Sequence, residues 1–199
     1  MSEPRPDPTR SVHDYELIRR RHGLSGIVSI PRKIRWCSYL SFVIAASMGA
    51  LAVLPPSVRK LYLEGEAANQ SLGVGLVALF CVGAVVVGAV GLAGVALRRG
   101  RAESVSREHA WFLVGLEDVF SGIALITGAL GVAAVTTLTV VGFAGTETVE
   151  RLLAAGIDPY RRLAWAPESG FVALAALGCG VFVFLLAVTT DSSMRWTPG

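Results

Sequence analysis

Apolar residues in this 199-residue chain come in long uninterrupted runs, not in the alternation of a half-buried strand. Residues 36–54 carry no charge, and Pro55-Pro56 stops the run. A helix of that length rises about 28 Å, close to the ~30 Å hydrocarbon thickness of a bilayer. A second run, 72–97, ends at Arg98-Arg99-Gly100-Arg101. A third, 111–145, is broken only by Glu117-Asp118. As one helix it would measure about 52 Å, so its membrane core is expected at 119–141. Residues 111–116 then lie along the interface or project against another element. A competing reading breaks the run near Gly128–Gly131. The fourth run is 170–188. Together they predict an all-α integral membrane protein, a four-transmembrane-helix bundle with short loops.

Two regions follow. Residues 1–35 form an Arg-rich N-terminal arm, and residues 36–199 form the transmembrane domain. The first twelve residues are polar and Pro-rich, which predicts flexibility. Residues 13–30 mix Tyr15, Leu17, Ile18 and Leu24 with Arg19, Arg20 and Arg21. That pattern suits a short amphipathic helix on a membrane surface, or equally an irregular arm docked on a partner or on the bundle. Between the third and fourth runs, a short helix is expected at 148–155, with Thr146 as its cap and a turn at Asp158-Pro159.

Composition strengthens the membrane assignment. The chain is 53% hydrophobic and 17% charged, against about 25% charged in soluble domains. Its mean hydropathy is +0.58. Large soluble catalytic domains, coiled coils and disordered chains are disfavoured. The net charge is +3, and only Lys33 and Lys60 among the 18 basic residues are Lys. The basic residues sit beside the apolar runs, so topology explains them better than nucleic acid does. Thirteen fall on the side holding both termini and five on the other, which predicts cytoplasmic termini. Trp36, Trp111 and Trp165 flank the runs as interfacial anchors.

Candidate chemistry is sparse. In the second run, Ala84/Gly88 and Ala89/Ala93 form small-xxx-small pairs that permit close helix packing. Glu117 and Asp118 are the acids of the third run, with Ser121 on Asp118's face and His109 just ahead. Ionisable groups near a membrane core are costly and often functional. The pair suits a proton or cation path, or a salt bridge to a nearby Arg or to a partner subunit. Arg19, Arg20, Arg21, Arg32, Lys33 and Arg35 are placed against a partner or lipid headgroups. His13, His22 and His109 lie outside the run cores, and Cys37, Cys81 and Cys179 are far apart, so no metal or haem cofactor is expected. The loops are too short for an enzyme domain and show no nucleophile–base pattern, so no catalytic activity is expected of the chain itself. The leading expectation is a non-catalytic accessory or scaffold subunit, with other membrane protein subunits and lipid headgroups as partners. The alternative is a small oligomeric transporter or channel using Glu117 and Asp118.

Overall fold

The computed structural model describes residues 28–63, 69–101, 107–158 and 160–195. Arg19, Arg20 and Arg21, and the amphipathic segment as far as residue 27, lie outside the described residues. Helix α1 spans Ile30–Ala50. Ser29 is extended just ahead of it and Pro31 occupies its first turn, where a missing N–H costs nothing. The helix therefore starts six residues before Trp36, and the boundary drawn at residue 35 falls inside it. Arg32, Lys33 and Arg35 ride on its first turns rather than preceding it. A tight turn, Leu51–Val53, leads to Pro55-Pro56, where the direction changes into a helical stretch ending at Leu63.

Helix α2 is Gly73–Arg101, α3 is Arg107–Phe143, α4 is Thr146–Ala154 and α5 is Ser169–Arg195. Helix α3 is one continuous element of 37 residues, about 55 Å long, with no break at Gly128–Gly131. Its first turns do not project freely, because Ala110, Leu113 and Val114 are buried in the bundle. The short helix α4 begins at Thr146 itself. Gly145, with φ 96°, holds the position before it, and no side chain caps it. Thr146 is therefore not the cap; the tight reversal after α3 takes the left-handed backbone that glycine adopts most cheaply.

Four helical stretches are long and apolar enough to cross a membrane: Ile30–Val53, Gly73–Gly100, Glu108–Phe143 and Ser169–Ser193. All exceed the expected spans. They run up and down alternately. Gly128 and Gly131 of α3 meet Leu40 and Ile44 of α1, so these two helices are parallel. Gly88 of α2 meets Ala124, and Cys81 meets Gly131, so α2 runs antiparallel to α3. Phe42 of α1 lies on Gly180 of α5, and α1 touches α2 across the bundle. The start of α1, the end of α2, the start of α3 and the end of α5 thus share one end, which carries Arg32, Arg35, Arg98 and Arg99.

At the other end the loops are knitted together. Gly73 N–H donates to Arg161 O at 2.8 Å and Leu163 N–H to Ser71 O at 3.0 Å. Ser169 donates to Gln70 O through both its backbone N–H and its hydroxyl. Beneath them Leu54, Val58, Leu63, Leu72, Val149 and Tyr160 make one buried cluster. A second cluster, nearer the basic end, includes Ile30, Ile34, Cys37, Leu92, Leu113 and Val183. The outer faces are apolar as well: Phe80 is 73% exposed and Leu174 71%. Helices apolar on every face are of the kind that can cross a membrane by length and composition.

Candidate functional site

The early start of α1 decides what becomes of the charges. With Ile30 as its first residue, Lys33 falls on the same face as Ile30, Ile34 and Cys37, all buried. On α3, the buried residues Leu113, Glu117, Ser121, Ala124, Gly128, Gly131, Val135 and Thr139 follow the three-to-four spacing of one helix face. The two faces meet, and Lys33 Nζ donates to Glu117 Oε1. Each side chain is 1% exposed. This is a buried ion pair beside the apolar residues Ile30, Ile34 and Cys37. Either charge alone would carry a desolvation penalty of several kcal/mol, which its partner's attraction offsets.

The structure separates the other expected members. Asp118, one residue on, is rotated off the interior face and half-buried. Ser121 is buried, but its hydroxyl donates back to Asp118 O at 3.2 Å, a bond within its own helix. His109 is exposed at the helix start. Arg32 is exposed; Arg35 is half-buried, and its Nε is shielded with no hydrogen bond among the described residues. Lys33 faces the interior, away from the surface position that a headgroup contact requires. The ion pair joins two residues that the sequence assigns to different tasks. The signal that points to it is Pro31, which marks a helix start early enough to place Lys33 on the buried face.

Past the ion pair the interior closes on small residues. A Cβ at Gly88 would stand 2.5 Å from Ala124 Cβ and 2.6 Å from Phe120 O. At Gly131 it would stand 2.5 Å from Cys81 Cβ, and at Gly128 2.7 Å from Val85. Ala89 and Ala93 are buried beside Gly88, and Ala84 is half-buried. The residues the sequence leaves out are the glycines of α3, which read as a break but act as contact points. Further along, Ser47 and Thr136 hydroxyls share a bond of 3.0 Å between α1 and α3. Thr139 donates to Ser47 O at 3.2 Å and to Val135 O at 2.9 Å. Among the described residues no three His, Cys, Asp or Glu side chains gather as metal ligands. A groove of about 410 Å³ lies on the outside, between α1 and α3, lined by Trp36, Tyr39, Leu40, Leu125 and Ala129. No family model, curated protein or solved structure matches the chain.

Proposed function

We propose that the chain inserts into a membrane as a four-span protein with both termini on the cytoplasmic side. There it serves as a non-catalytic accessory or scaffold subunit of a larger membrane assembly. The observation that carries this reading is the closure of Glu117 by Lys33 within a packed interior. A carboxylate that relays protons or cations needs access to water and an exchangeable partner. Glu117 instead faces an internal counter-charge, and the interior beyond it narrows onto Gly128 and Gly131. Such an interior suits a rigid element whose outer faces meet lipid and neighbouring subunits. The basic flanks at one end support the orientation.

Flux through vesicles separates this role from the transporter alternative. Liposomes holding only the purified chain are expected to leak protons and monovalent cations at the rate of empty liposomes. A flux well above that rate and lost in Glu117→Gln would overturn the scaffold role in favour of a path through the bundle.

A further inference from the structure

We propose that the outer groove between α1 and α3 binds one anionic phospholipid, with its phosphate at Arg32 and Arg35 and an acyl chain along the groove. The inference rests on membrane insertion and not on the accessory role. Arg32, Arg35, Trp36 and Tyr39 recur at intervals of three and four residues, so they lie along one stripe of α1. The two arginines hold the end of that stripe nearest the basic face, and the aromatic pair lines the apolar groove below them. At about 410 Å³ the groove falls within the ~300–1,000 Å³ range of ligand-sized sites. Cationic heads above an apolar trough repeat the layout of a phospholipid, charge at the interface and hydrocarbon beneath.

Arg35 is half-buried beside exposed Arg32. A phosphate oxygen is the acceptor a guanidinium binds best. Lys33, between the two arginines in sequence, adds no free charge because Glu117 neutralises it. Asp118 lies two turns before Leu125 on the same stripe of α3 and is half-buried. Its carboxylate lowers the local positive charge, which favours a singly charged headgroup, such as phosphatidylglycerol, over a polyanionic one.

Trp36 is a reporter inside the groove. The full-length chain with Trp111→Phe, Trp165→Phe and Trp196→Phe keeps Trp36 as its tryptophan. In phosphatidylcholine vesicles, a small fraction of acyl-brominated phosphatidylglycerol is expected to quench it more strongly than equal brominated phosphatidylcholine. The preference should fall about fivefold for each arginine removed in Arg32→Gln and Arg35→Gln. Asp118→Asn should strengthen it. A companion chain keeping only Trp165, at the opposite end, should show no preference. Equal quenching of Trp36 by the two lipids would overturn the site. So would a preference that survives loss of both arginines, or an equal preference at Trp165. Quenching by neither lipid would overturn membrane insertion itself, and the lipid site with it.

Discussion

Lys33 and Glu117 depend on each other. Removing one partner strips a buried charge of the counter-charge it touches, and breaking a buried pair in this way costs about 3–5 kcal/mol in folded proteins. Replacing both with apolar residues of similar volume is often neutral or stabilising. Lys33→Ala and Glu117→Ala are therefore expected to destabilise the bundle by about 3–5 kcal/mol each, while Lys33→Met with Glu117→Leu keeps or raises stability. Reversible unfolding in mixed micelles measures all three. Single variants as stable as the parent chain would show that the pair is not buried as described.

Tyr160 is a second residue whose burial has a measurable consequence. It sits under the loops outside the membrane-crossing stretches and donates to Leu138 O at 3.4 Å. Burial pushes its phenol from 10.0 up to about 12. Between those values the unfolded chain carries an ionised tyrosine and the folded chain a neutral one, so protons are lost on unfolding. Tyr160's contribution to stability is therefore intact below pH 10 and is lost as pH rises through about 12. Tyr160→Phe should flatten the fall in stability over that window. An unchanged slope in the variant would place the phenol in water.

Among elements, the helices themselves were legible because an apolar run of about 20 residues has few other stable forms in a bilayer. Their ends were not. The sequence treats Arg32, Lys33 and Arg35 as the edge of the membrane and hence of the helix, but hydrogen bonding does not stop where hydrophobicity does. Ser29 and Pro31 mark the true start of α1. Gly128 and Gly131 read as a weakness in α3 for a similar reason. Glycine lowers helix propensity in isolation, yet between packed helices it removes the side chain that would keep backbones apart. Gly131→Ala is expected to cost about 1–3 kcal/mol, since its Cβ would stand 2.5 Å from Cys81 Cβ. Gly122 has nothing within 4 Å of a built Cβ, so Gly122→Ala should be neutral or stabilising. Equal losses in thermal unfolding would contradict the close α2–α3 approach.

For the whole molecule, the alternation of four long apolar helices and their loops brings Ile30 and Arg195 to one end. The knitting of the opposite end was beyond reach of the sequence. Its bonds join backbone groups about ninety residues apart, such as Gly73 with Arg161, and no residue type announces them. The candidate site was half legible: Glu117 stood out as an acid in an apolar run, but its partner was disguised as a flanking lysine. The assembled molecule has a closed interior, a braced loop end, a basic opposite end and apolar outer walls. The proposed accessory role draws on those walls and not on chemistry in the interior.

The mass of the native particle tests that most directly. Gently extracted from its own membrane and weighed by native mass spectrometry, the chain is expected in one complex with other membrane subunits at fixed stoichiometry. A particle containing only this 21.0 kDa chain, alone or in copies of itself, would contradict the accessory role.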